Sequence, residues 1–139
     1  MNDPERALQA AVAARLKGDA GVRAWLGVSP RVWDQPPEEM DGFDYPYLLF
    51  GRCESRPVAA EGCGYELRLG LTVVSRYGGS EEAKAVVAAA RAALDGAGLS
   101  LAGGWRCVDL RVTYADVFRA ADLRSTHGLV RLRAVVEAG

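Results

Sequence analysis

His127 is the one histidine of the sequence, so any imidazole chemistry rests on it alone. Ser125 stands just before it, but a serine nucleophile served by that base would still need an acid and an oxyanion hole. His127-Gly128 also falls between two expected strands, where a turn accounts for both residues equally well. Cys53, Cys63 and Cys107, taken with His127, have the ligand types of a zinc site but none of the short-spaced pairs such sites use. The cysteines are odd in number and lack a Cys-x-x-Cys spacing, which argues against a disulfide framework and makes free thiols the simplest reading.

Gly62-x-Gly64 runs into a strand rather than a helix, the wrong context for binding a dinucleotide. Gly78-Gly79-Ser80 does precede a helix, yet it lacks the phosphate-loop lysine, and Glu81 and Glu82 would repel a phosphate. Glu38, Glu39 and Asp41 gather carboxylates in a proline-rich loop, where solvation explains them better than a paired acid and base. The expectation is therefore no enzyme, no cofactor and no metal. What remains suits docking: the aromatic segment Phe43-Asp44-Tyr45-Pro46-Tyr47 beside the acidic loop, and Arg131 with Arg133 on one face of the last strand. Strand entry and core burial account for Tyr45-Pro46-Tyr47 as well. A competing reading makes Arg106, Arg111, Arg131 and Arg133 a phosphate stripe of a small nucleic-acid-binding α+β module.

The elements that must position these residues are readable from period and punctuation. Asp3-Pro4-Glu5 has the chemistry of a helix start, and Leu8, Ala11, Val12 and Leu16 follow at helical spacing, predicting a helix over 4–17. Asp19 can cap a second short helix carrying Val22, Trp25 and Leu26, closed by Gly27 and Pro30. Val32-Trp33 reads as a short strand, and the Pro/Gly/acidic loop after it ends at Tyr45-Pro46. Two strands, Tyr47–Glu54 and Tyr65–Arg76, form a long hairpin whose tip, Arg56–Gly64, is expected to be mobile. Ser80 with Glu81 and Glu82 opens another helix, with Ala83, Val87, Ala90 and Leu94 on its buried stripe and Gly96 at its end. A strand over Trp105–Phe118 is expected to alternate Val108, Leu110, Val112 and Tyr114 against Asp109, Arg111, Thr113 and Ala115. Ala120 to His127 reads as turn, and Val130, Leu132, Ala134 and Val136 mark one face of a final strand. Hairpins flanking a helix predict an α+β fold, a mainly antiparallel sheet with helices on one face.

Composition is consistent with this. The 139 residues fit one domain spanning 1–139, with 50% hydrophobic and 25% charged residues. The formal net charge is -1, so no global field steers polyanions, although a local basic patch is compatible with it. Lys17 and Lys84 are the only lysines, so nearly all basic groups are planar guanidinium forks. Apolar runs such as Val86–Ala90 are far too short to span a bilayer, and the N-terminus lacks the pattern of a secretory signal, so a cytoplasmic protein is expected.

Four stretches, in this order, carry a resemblance: Arg31-Val32-Trp33-Asp34-Gln35-Pro36-Pro37; Tyr45-Pro46-Tyr47-Leu48; Ser75-Arg76-Tyr77-Gly78-Gly79 with Glu82-Ala83-Lys84; and His127-Gly128 through Ala134. The sequence resembles the tail-completion proteins of long-tailed bacteriophages, also called tail terminators or tail-to-head joining proteins, over nearly its whole length. The resemblance implies a non-enzymatic subunit of a ring, usually of six, at the head-proximal end of the tail. There it would stop growth of the tail tube and meet the head connector, with DNA passing through the lumen. Its partners would be its own copies, the tail tube protein and the connector. Its setting would be the bacterial cytoplasm during assembly and then the tail of a phage, prophage or gene transfer agent particle. A closed ring needs two different patches per subunit. The Pro36–Asp44 loop with Glu38, Glu39 and Phe43, the adjoining Tyr45, and the hairpin tip with Arg56 and Glu61 are the expected contacts. Arg131 and Arg133 are expected to pair with a neighbour's acids or to face the lumen.

Overall fold

The computed structural model describes residues 3–58, 64–76 and 78–139. Helices α1 (Pro4–Gly18) and α2 (Ala20–Leu26) come first, followed by the short strand β1 (Val32–Trp33). A 3-10 turn, Gly42–Asp44, precedes the hairpin of β2 (Tyr47–Pro57) and β3 (Gly64–Ser75). Helix α3 (Glu81–Leu94) then leads to a second hairpin, β4 (Trp105–Arg119) and β5 (Thr126–Ala138). The strands form one sheet in the order β1-β2-β3-β5-β4. Every neighbouring pair is antiparallel except β1 and β2, which run parallel through Val32↔Leu48 and Trp33↔Leu49. The expected α+β architecture is the observed one. Among the described residues no helix is long and apolar enough to cross a membrane.

Local chemistry explains the helix ends. The Asp3 carboxylate accepts from the Arg6 amide at 2.8 Å with proline in the first turn, and Asp19 accepts from the Val22 amide at 3.0 Å. Gly27 ends α2 at φ 101°, a value that an L side chain resists. Ser80 precedes α3 but makes no side-chain cap; the nearby Ser75 hydroxyl instead donates to Glu82 at 2.7 Å. The expected serine cap is thus replaced by a hydrogen bond that ties the helix start to the end of β3.

All three helices lie on one face of the sheet. Leu8, Val12 and Leu16 of α1, Val22 and Leu26 of α2, and Val86, Val87, Ala90 and Leu94 of α3 meet Leu67, Leu69, Leu71 and Val73 of β3 in one cluster. Val130, Leu132, Ala134 and Val136 of β5 complete it, all fully buried. Helix α3 comes closest at Gly128, where a Cβ would lie 2.5 Å from Val87 Cγ2. That glycine is there for close approach; as part of β5 it is not a turn residue.

Two further sequence expectations are corrected. Thr126 and His127 belong to β5, because they pair with Ser75 and Val74 on one side and with Arg119 and Phe118 on the other. The turn is confined to the residues before them, where Asp122 accepts from the amides of Arg124 and Ser125. In β4 the simple alternation fails. Register shifts at Cys107/Asp109 and Val112/Tyr114 each insert a residue, so the strand changes face twice. Trp105, Cys107, Leu110, Val112, Ala115 and Val117 accordingly meet the core, while Val108 and Tyr114, expected to be buried, are exposed.

Candidate functional site

The sheet face away from the helices is uncovered, and the bulges of β4 determine what it presents. Register pairs place Arg106 with Glu137, Arg111 with Arg133, Tyr114 with Arg131 and Asp116 with Leu129 on this face, beside Glu66 and Arg68 of β3 and Glu54 and Arg56 of β2. The charges are largely neutralised in place. Glu66 accepts from Arg68 and Arg133, each Nε at 3.1 Å, and these hydrogen bonds, that from Arg133 foremost, hold its carboxyl below the usual carboxylate range. Asp109 pairs with Arg111 at 3.1 Å and with Arg133 at 3.8 Å, Arg106 pairs with Glu137, and Arg52 with Glu54 at 2.9 Å.

Arg131 is the exception, since its guanidinium lies 4.8 Å from the centroid of Tyr114, whose hydroxyl donates to Asp116 at 3.3 Å. Gly70 leaves a gap beside it, a hollow of about 260 Å³ bordered by Arg52, Glu54, Arg68, Thr113 and Arg131. The phosphate stripe suggested by the sequence is therefore brought onto one face but matched by acids. Arg106, Arg111 and Arg133 each contact a carboxylate, which leaves little free positive charge for a polyanion.

The second surface is the loop after β1. Phe43 is 89% exposed, and Glu38, Glu39 and Asp41 around it are exposed as well. Asp41 and Asp44 brace the loop by accepting from the amides of Phe43 and Asp41, at 2.8 and 3.0 Å. Tyr45 is half-buried: its ring meets that of Tyr47 at a tilt of 51° with centroids 5.3 Å apart, and Arg76 sits 4.9 Å from its ring. Tyr45 thus anchors the loop while Phe43 is presented outward. At the hairpin tip, Arg56 is exposed at the end of β2, and Glu61 lies outside the described residues, as does most of the expected mobile tip.

The residues first considered for catalysis have structural partners. Ser125 Oγ donates to Asp122 at 3.2 Å, and His127 packs edge-on against Phe118 at 5.8 Å. Burial pushes the Cys107 thiol up, away from thiolate chemistry. Among the described residues no group of three or more His, Cys, Asp or Glu side chains is placed to hold a metal. The sequence reading missed Glu66, Asp109 and Tyr114 as the groups that organise the arginines. The alternations of β3 and β4 put Glu66 and Asp109 on the polar side, but their pairing with Arg133 is set through β5, and the bulges of β4 conceal Tyr114.

The model of the family described as tail completion protein gp17 matches residues 10–137. The chain belongs to that family. Tail completion is thus its class, and it is a structural protein of a phage-type tail. Its fold is also similar to a chain in the structure of the virion of a native gene transfer agent particle, with a TM-score of 0.83 and 31% identity. That similarity covers 95% of this chain and 96% of the other. No curated protein matches the sequence.

Proposed function

We propose that this tail completion protein acts as one domain over residues 1–139, and that its copies form a ring, of six subunits, at the head-proximal end of a phage-like tail. The ring ends growth of the tail tube and offers its other side to the head connector, and DNA passes through its lumen without sequence-specific binding. The role is structural, with no catalysis and no cofactor, and the protein assembles in the bacterial cytoplasm before it becomes part of the particle.

The observation that carries this reading is the likeness to a virion chain along almost the full length of both proteins, at 31% identity. Two features of the surface support it. The face with the most charge is balanced by internal ion pairs, as suits a surface that polyanionic DNA must slide past rather than bind. Phe43, a large apolar side chain projecting from a braced acidic loop, has the character of an interface anchor, and we assign it to the tube protein.

Electron microscopy of particles from a strain lacking this gene tests the reading. Overlong or headless tails are the expected outcome, and Phe43→Ser should reproduce part of that defect with the fold intact. Tails of normal length joined to filled heads would overturn it.

A further inference from the structure

We infer that the acidic loop of one subunit, residues 35–40, docks in the groove between α3 and the open rim of β4 in the next subunit. The inference rests on the ring reading and names a contact that would build it. β4 is a rim strand, and the first part of its outer edge is occupied from within: the Gly96 amide donates to the Leu110 carbonyl at 2.9 Å, and the Val112 amide donates to the Asp95 carboxylate at 3.0 Å. At the far end of the strand the Ala120 amide donates inward, to the Ser125 carbonyl at 2.9 Å. Antiparallel alternation back from that pair aims the amides and carbonyls of Arg119, Val117 and Ala115 outward, where no neighbouring strand meets them among the described residues. Beside this stretch lies a groove of about 350 Å³, with Val87, Ala88, Ala115 and Val117 as its apolar lining and Lys84 and Arg91 of α3 as its charged wall. Both cations are exposed, and neither has an ion-pair partner within the chain among the described residues. Asp116 borders the groove as well, but its carboxylate accepts from the Tyr114 hydroxyl on the open face. A strand edge flanked by a helix is a setting in which extended segments are bound.

Level, side and charge select the segment. One transverse row of the sheet runs Trp33, Leu49, Thr72, Leu129, Asp116, and another runs Tyr47, Val74, His127, Phe118. The acidic loop leaves β1 at the first row and enters β2 at the second, so both of its ends are level with the open stretch of β4, on the opposite rim. Rotation about an axis along the strands preserves that level and brings the β1 rim of one copy to the β4 rim of the next. Gln9 of α1 donates to Asp34 at 3.1 Å, which holds the start of the loop on the helix side, where the groove opens. Glu38 and Glu39 are exposed, have no ion-pair partner within the chain among the described residues, and supply carboxylates for Lys84 and Arg91. Pro36 and Pro37 restrict the residue before each of them to extended backbone, so the segment is already shaped to lie along a strand. The amides of residues 38–40 donate to nothing within the chain among the described residues and are free for the rim carbonyls. Phe43, farther along the loop, stays with the tube protein. A two-fold join of β4 with β4 would instead bring Lys84 and Arg91 toward their own copies, and like charges oppose it.

Cross-linking in the full chain and in assembled particles tests this, with Cys53, Cys63 and Cys107 replaced by serine. Glu39→Cys combined with Ala88→Cys should give, on mild oxidation, a covalent ladder extending beyond dimer, and neither substitution alone should give one. Glu39→Cys combined with Arg56→Cys, which is level with Asp109 at the other end of the sheet, should give none. Glu38→Lys with Glu39→Lys should weaken assembly by at least about tenfold, as should Lys84→Glu with Arg91→Glu, and the four together should restore it.

A ladder that stops at dimer and needs only Ala88→Cys would overturn the docking in favour of β4 meeting β4. Rings seen by native mass measurement without a ladder from Glu39→Cys with Ala88→Cys, or charge reversals that fail to rescue one another, would overturn the docking and leave the ring reading standing. A chain that is monomeric in solution and forms no ladder in particles would overturn both.

Discussion

The two faces of the sheet alternate residue by residue along the same strands, yet they are built on different physics. On the helix side of β5, Val130, Leu132, Ala134 and Val136 are fully buried against three helices. On the other side, Arg131 and Arg133 lie in a lattice of guanidinium, carboxylate and phenol groups open to water. Burial of a leucine stabilises the fold by roughly 1.5–3 kcal/mol, whereas an exposed ion pair contributes about 0–1 kcal/mol. The difference teaches that the helix side holds the chain together and that the open side is free to be shaped by what it meets.

The sharpest way to break this contrast is to truncate neighbours on one strand. Leu132→Ala should cost about 2–5 kcal/mol in denaturant unfolding, and Arg131→Ala less than about 1 kcal/mol. Equal losses would mean that the open face contributes to the fold as the core does. A smaller effect is expected at Gly128, where an added methyl meets Val87 Cγ2 at 2.5 Å and Val73 Cβ at 3.3 Å. Gly128→Ala should destabilise by about 1–3 kcal/mol, and adding Val87→Ala should recover part of that, as thermal unfolding of the double variant would report.

The smallest effect lies on the open face. Glu66 is held below the ordinary carboxylate range, first by the hydrogen bond from Arg133 and then by that from Arg68. Its contribution is therefore fully present above its unfolded value, about pH 4.3, and is lost as the pH falls through the lower native value. Glu66→Gln should remove that part of the acid dependence while leaving unfolding at neutral pH little changed. An identical acid slope in the variant and the parent would show that the lattice is not coupled to folding.

Much of this architecture was legible in the sequence because period and punctuation agreed. Asp3-Pro4 marked the start of α1, Asp19 the start of α2, and the alternation from Leu67 to Val73 the buried face of β3. β4 was misread because a bulge leaves no compositional mark. Val108 and Tyr114 are apolar or aromatic at positions where strict alternation puts them inside, and only the pairing with β5 reveals that two inserted residues turn them out. The arginines of the open face were visible singly. Their pairing with acids was not, because Glu66 and Asp109 come from strands far apart in sequence that meet Arg133 only through β5. Ser80 failed as a cap because its backbone is already helical, with φ -90° and ψ -5°, rather than extended as a capping residue requires.

The uncovered rim of β4 has a consequence for gene dosage. Beyond Val112, whose amide is held by Asp95, the outer backbone groups of β4 have no neighbouring strand among the described residues, and such groups attract any extended segment that alternates suitably, whether or not it belongs to the right neighbour. Each newly made subunit is adhesive until its rim is occupied. Overproduction therefore favours deposits formed through that edge, and the rate of synthesis becomes part of what keeps the chain in solution.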